Sequence, residues 1–263
     1  MLFLRLISNR ILIASIIVWL TACGGDDEAA TSWYKDMDTD TFGDPATEVI
    51  GDQPDDTYVT NNTDCDDTRA DINPNATETA DLVDNDCDGN IDNGFKYAFA
   101  TSTLHFGGFG GLAVADAICQ NLANIATSTL TLPAGTYAAW LSTSNIDAKF
   151  RVTDDQSNTN TYVRTDGVFV ANSFGDIIDG ALQSSISLDE TGANISGVSP
   201  NYYVWTGTDQ FGLREPDMCT GDNWSISSGF GRIGWAVSSD SQWTSTATIW
   251  ACTEQARLYC FQK

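Results

Sequence analysis

The chain has 263 residues, with 36 acidic against 12 basic side chains and a formal charge of −24. Such an excess of negative charge repels nucleic acid and anionic lipid, and it makes multivalent cations the natural counterions. The acids are uneven: 21 lie between Asp26 and Asp92 and 15 between Asp116 and Glu254.

Arg5 and Arg10 open the chain, Ile11 to Leu20 form an apolar run, and Thr21 and Ala22 lead into Cys23. A positive end, a short apolar core and a small-residue exit describe a secretory signal. The stretch from 11 to 22 reaches about 18 Å at ~1.5 Å per helical residue, short of the ~30 Å of a bilayer core. Leu20-Thr21-Ala22-Cys23-Gly24 resembles the lipobox of bacterial lipoproteins. That resemblance implies cleavage before Cys23, lipidation of its thiol and membrane anchoring. Gly rather than Asp at 24 implies the outer membrane. Residues 1–22 are therefore expected to be a signal peptide and 23–32 a lipidated tether. Losing Arg5 and Arg10 takes the charge from −24 to −26.

Residues 33–94 have few large apolar side chains, and composition alone predicts disorder there. Their acids are nonetheless patterned. Asp36, Asp38 and Asp40 alternate, followed by Phe42 and Asp44; Asp84, Asp86 and Asp88 alternate, followed by Asn90 and Asp92. Asp64, Asp66 and Asp67 lie between them. Calcium takes six to eight oxygens at about 2.3–2.6 Å, and a DxDxDG loop converges alternate side chains on one ion, with a carbonyl at the seventh position (Phe42 and Asn90 here). Gly89 permits the turn. The twelfth position, where an EF-hand carries Glu, holds Thr47 and Phe95, so further oxygens are expected from the neighbouring cluster. A solvated acidic linker is the plainer alternative. The period-two spacing, occurring twice with cysteines among the acids, favours a metal.

The stretch from Trp33 to Asp92 resembles the Asp-rich metal-binding repeat of bacterial surface proteins called MopE-type. The carrying residues are Tyr34-Lys35-Asp36, Asp64-Cys65-Asp66-Asp67, Ile72-Asn73-Pro74-Asn75-Ala76-Thr77-Glu78 and Asp84 through Asp92. Thr41 departs from that pattern, which has Gly in the first loop. The resemblance implies calcium occupancy and a Cys65–Cys87 disulfide.

From Phe95 onward aromatic and aliphatic residues return, enough for one core in 95–263. Leu112, Ala115, Cys119, Leu122 and Ile125/Ala126 recur at helical spacing, with Cys119 on the apolar side. Strands are predicted at 137–141, 168–170, 202–205 and 258–261, between long polar loops. One or two helices with a small, mostly antiparallel sheet give an α+β class. The Gly-rich run 106–111 has no following Lys-Ser/Thr and no βαβ context, which excludes a phosphate-cradling loop. With Cys23 assigned to lipid, Cys65, Cys87, Cys119, Cys219, Cys252 and Cys260 remain, an even set in an exported chain and hence disulfides. No CxxC occurs and His105 is the single histidine, so zinc is not expected. Sequence alone leaves three pairings open for the last four cysteines.

GGLAVADAICQ, AGTYAAWLS, VWTGT, CTGDNW and CTEQARLYCF, in this order across 100–263, resemble a bacterial lipoprotein domain of uncharacterised function. That domain is in turn similar to endostatin, the C-terminal fragment of collagen XVIII, with a C-type-lectin-like fold. The resemblance implies Cys119–Cys260 enclosing Cys219–Cys252. It also draws attention to Glu215, Asp217, Asp222, Asn223 and Trp224 as a possible ligand loop, since sugar-binding C-type lectins hold calcium with Glu-Pro-Asn and Trp-Asn-Asp triplets. The alternative assigns Pro216 to a turn and Trp224 to the core. A Ser-His-Asp or Cys-His site requires a basic imidazole, and disulfides leave no thiolate. The expectation is therefore a non-enzymatic, lipid-anchored surface protein: a calcium-stiffened stalk presenting a domain that binds an extracellular protein or glycan. A purely structural envelope lipoprotein, a calcium-dependent lectin and a carboxylate-dependent hydrolase are the competing readings.

Overall fold

A computed structural model describes residues 29–125, 130, 132–153, 157, 159–197, 199–219 and 223–263. The expected signal peptide at 1–22, Cys23, Ala126 and Asp222 lie outside the described residues. Among those described, no helix is long and apolar enough to cross a membrane.

The acidic stretch is folded, against the expectation from composition. Three short strands, β1 (Ser32–Lys35), β2 (Val49–Ile50) and β3 (Tyr58–Val59), form an antiparallel sheet in the order β2-β1-β3. Its apolar content is slight, with Phe42 and Ile72 buried. What replaces a core is carboxylates accepting the chain's own N–H groups. Asp36 accepts from Thr39 and Thr41, Asp40 from Phe42, Asp64 from Asp66, and Asp84 from Asp88 and Gly89. Such side chain-to-backbone bonds are the turn chemistry that aspartate favours. Cys65–Cys87 ties the middle of the module to its end.

The C-terminal domain is built on β12 (Gln255–Gln262), which is buried along seven of its eight residues. It pairs with β4 (Phe95–Ala100), β5 (His105–Phe106), β6 (Tyr137–Ala139) and β9 (Tyr203–Trp205). The sheet extends through β10 (Phe230–Trp235) and β11 (Ile249–Ala251) on one side, and through β7 (Thr161–Val163) and β8 (Phe169–Ala171) on the other. The β12–β9 and β4–β7 pairs are parallel and the rest antiparallel. Period-two alternation splits the strands between two cores. Tyr97, Phe99, Leu258 and Cys260 face α1 (Leu112–Asn124), whereas Ala98, Ala100, Tyr259 and Phe261 face Trp140, Trp243 and the short α2 (Phe174–Ile177). Cys119–Cys260 welds α1 to the central strand, and Cys219–Cys252 lies inside it in sequence.

The four expected strands are present with shifted ends, inside a sheet of nine strands rather than a small one. β4, β5, β7, β10 and β11 were not expected. Helix α1 stops at Asn124, leaving Ile125 exposed instead of on the apolar face. The Gly-rich run serves close packing. A Cβ at Gly107 would lie 2.5 Å from the Cys219 sulfur, and one at Gly108 would lie 2.1 Å from the Ser227 nitrogen.

Candidate metal centre

The first loop and the DCDD step converge. Carboxylate oxygens of Asp36, Asp38 and Asp40 lie within 4.8 Å of one another, as do those of Asp38, Asp64 and Asp67, so Asp38 belongs to both groups. The register is fixed by backbone: Asp64 N–H donates to the Gly43 carbonyl and Met37 N–H to Asp67 Oδ1. Gly43 is needed here, because a Cβ would meet the Asn61 carbonyl at 2.8 Å. Asp64 is 3% exposed and Asp67 9%. The Oδ2 atoms of Asp38, Asp40, Asp64 and Asp67 are all buried without a hydrogen-bond partner. Burial raises the Asp38, Asp64 and Asp67 carboxyls above the usual carboxylate range, and crowding by neighbouring aspartates adds to it.

Enclosed carboxylate oxygens in a folded protein are ordinarily paired, and leaving them unpaired costs several kcal/mol. A hard cation held by these groups, which share Asp38, would supply the missing partners, so the residues present fit a metal. The second cluster is smaller. Glu78, Asp84 and Asp86 bring oxygens within 4.8 Å of one another. Glu78 Oε1 accepts N–H from Asn85 at 2.7 Å and Asp86 at 2.9 Å, while Oε2 is buried and unpaired. Burial pushes the Glu78 carboxyl up. Glu78 was not nominated as a ligand from sequence. Its signal was the conspicuous Glu that ends the Ile72–Glu78 segment.

The six other nominated residues lie outside these carboxylate groups and make other contacts. Asp92 is buried and spent: it accepts N–H from Asp81 and Leu82 and the hydroxyl of Tyr97. Asp44 caps the turn at Pro45–Thr47 by accepting from Ala46 N–H. Asp66 accepts the Thr68 hydroxyl. Asp88 is exposed and bonds Asn90 and Asn93, and Asn90 is exposed beside it. Phe42 is buried with its N–H on Asp40.

The two loops share one backbone feature. Gly89 sits at φ +88° and its counterpart Thr41 at φ +81°. A β-branched residue at positive φ costs about 1–3 kcal/mol, against about 0.5–1 kcal/mol of extra chain entropy for glycine. Thr41→Gly is therefore expected to tighten cation binding at the first cluster about fivefold, read by calorimetric titration. Unchanged or weaker affinity would mean that the Thr41 conformation is not opposing the bound state.

The possible ligand loop is not laid out as a lectin site. Arg232 Nη2 lies 3.1 Å from Asp217 Oδ2 and 3.7 Å from Glu215 Oε2, so a guanidinium already stands where calcium would sit. Trp224 is 0% exposed, stacks on Phe109 and donates its indole N–H to the Ser142 carbonyl. It has no free face for a sugar, and Asn223 is exposed beside it. His105 is half-buried against Thr103 Oγ1, and burial lowers its pKa.

Residues 64–93 match a family model described as "Putative metal-binding motif", of the copper-binding MopE type. The match takes in Asp64, Asp67 and the Glu78 cluster and does not reach Asp36–Asp44. No curated protein matches the chain. The chain thus carries a metal-binding motif in its acidic module, ahead of an α+β domain with two disulfides.

Proposed function

We propose that this chain is a lipid-anchored surface protein whose acidic module is a calcium-stabilised stalk and whose C-terminal domain is a non-catalytic binding or adhesion domain. The observation that carries it is the set of four enclosed, unpartnered carboxylate oxygens on Asp38, Asp40, Asp64 and Asp67. These donors are oxygens of ionisable acids. The cysteines nearby, Cys65 and Cys87, are oxidised to each other. Copper and zinc favour imidazole and thiolate, whereas all-oxygen sets suit calcium, magnesium and manganese. Calcium tolerates the irregular geometry of a loop-built site better than magnesium, which demands a near-ideal octahedron.

Titration with calcium, magnesium and copper distinguishes these readings. Calcium is expected to bind with a dissociation constant of ~10⁻⁴–10⁻³ M, the range of extracellular modules, and Asp64→Asn to lose the first site. Displacement of calcium by equimolar copper would overturn the assignment.

Anchoring rests on Leu20–Cys23, and display of a binding domain on the resemblance of 100–263 to endostatin-like, C-type-lectin-like domains. Cys23→Ala is expected to leave an uncleaved precursor without acyl label. Continued processing and labelling of that variant would refute the lipobox. Adhesion is tested by comparing matrix-protein and glycan retention of the wild-type chain with and without calcium.

A further inference from the structure

Among the described residues, the acidic module meets the C-terminal domain through residues 80–94, with Thr161 N–H of β7 on the Gly94 carbonyl at its end. Asp92, 1% exposed, accepts Leu82 N–H on both oxygens at 3.1 Å and the hydroxyl of Tyr97, a fully buried residue of β4. The Ala80 carbonyl lies over Gly167 in the turn between β7 and β8, where a Cβ would stand 2.1 Å from it. Ala80 and Leu82 pack against the core on the α1 side of the sheet. Beside these contacts, Gly89–Ile91 and Pro133–Ala134 face each other across a cavity of about 180 Å³.

The docking segment is part of a ring closed by the second cluster. Glu78 holds the N–H groups of Asn85 and Asp86, and Asn85 Oδ1 returns to accept the N–H and hydroxyl of Thr79. The module's end is further tied to the first cluster by Cys65–Cys87 and by Asn73 N–H on the Asn85 carbonyl. Both clusters enclose unpaired carboxylate oxygens: Oδ2 of Asp38, Asp40, Asp64 and Asp67 at the first, and Oε2 of the half-buried Glu78 at the second. Without a cation, Glu78, Asp84 and Asp86 repel one another across the mouth of the ring.

We propose that cation occupancy at Glu78, Asp84 and Asp86 controls docking of the stalk on the C-terminal domain, with Asp92 and Tyr97 as the positioning pair. The idea rests on the cation reading above and adds a consequence to it. Occupied, the ring presents Ala80, Leu82 and Asp92 to β4 and the 164–168 turn. Stripped, it opens, and the domain is held to the stalk through exposed Asn93–Gly94, with Gly94 at φ +91°. Coupling between two sites is reciprocal, so losing the docking contact weakens the cation by the same factor that losing the cation weakens docking.

Amide hydrogen exchange on the full chain, in calcium chloride and in EDTA, tests this. Chelation is expected to speed exchange in β4 and the 164–168 turn roughly tenfold, the scale of one charge-assisted hydrogen bond. Glu78→Gln/Asp86→Asn exchanges fast in both conditions, and Asp38→Asn/Asp64→Asn keeps the calcium response. Tyr97→Phe preserves the ring packed in the core. It is expected to bind calcium at the second cluster roughly tenfold more weakly and to lose most of the response. If calorimetry shows the second cluster filled while exchange in β4 is the same with and without calcium, the coupling is wrong and the cation reading stands. If Glu78→Gln/Asp86→Asn leaves calcium stoichiometry unchanged, the cation reading fails at this cluster, and the coupling fails with it.

Discussion

Chelation is expected to convert residues 33–93 from a protease-resistant module into a cleavable one. The module has little besides Phe42 and Ile72 to bury, so its stability rests on Cys65–Cys87, on carboxylate-to-backbone bonds and on whatever fills the two clusters. At 100 times its dissociation constant a ligand stabilises the folded form by about 2.7 kcal/mol, and two independent sites by about twice that. This is comparable to the whole stability of many small domains. Limited proteolysis followed by mass spectrometry should place new cuts in 36–44 and 78–90 when EDTA replaces calcium. Equal cleavage in the two buffers would exclude a structural metal.

The pH dependence supplies a second readout, with opposite signs in the two buffers. In EDTA, burial raises the folded-state carboxyls of Asp38, Asp64, Asp67 and Glu78 above their unfolded values. The folded module then binds more protons than the unfolded chain, so its stability increases as pH falls through those raised values. In saturating calcium the same carboxylates must be ionised to ligate, and stability decreases as pH falls.

Loss of Cys119–Cys260 carries the other large effect. The bridge spans 141 residues of sequence, against 33 for Cys219–Cys252 and 22 for Cys65–Cys87. In the loop-entropy model these contribute about 5, 4 and 3 kcal/mol respectively. The long bridge also joins α1 to β12, and Cys119 and Cys260 are both fully buried. Cys119→Ala/Cys260→Ala is expected to lower the melting temperature of the C-terminal domain by about 10–20 °C, at roughly 2–4 °C per kcal/mol for a domain of this size. The Cys65→Ala/Cys87→Ala pair should leave that transition nearly in place while exposing the acidic module. Equal shifts in the two double variants would contradict the placement of the long bridge at the centre of the fold.

Much of the site was legible because aspartates at every second position have a direct geometric meaning. The sequence also pointed to a neighbouring cluster for further oxygens, and the fold brings Asp64 and Asp67 to Asp38. Two features were hidden. Asp92 continues the period-two pattern, yet Tyr97 and the N–H groups of Asp81 and Leu82 claim it first, and those partners appear only once the chain has closed on itself. Glu78 lies six residues before Asp84, outside any local loop rule. In the C-terminal domain, β10 escaped notice because its two glycines lower strand propensity. Their purpose is tertiary: Cβ atoms there would meet the Trp205 and Trp224 rings at Gly231 and the Trp243 carbonyl, at 1.9 Å, at Gly234. The Glu215–Asp217 segment misled for the opposite reason, since its partner Arg232 lies 15 residues further along.

The central position of β12 constrains how the domain comes into being. It is the last strand in the described sequence, yet β4, β5, β6 and β9 all hydrogen-bond to it. A chain made from its N-terminus at ~5–20 residues per second exposes β4 roughly 8–30 s before β12 exists. Throughout that interval the sheet has no middle, Cys119 has no partner, and neither core can close. The sheet therefore cannot be completed before β12 has been made, and the Cys119–Cys260 bridge can close only after that, under oxidising conditions. Premature release without residues 255–262 should yield a chain that never acquires protease resistance anywhere beyond residue 94.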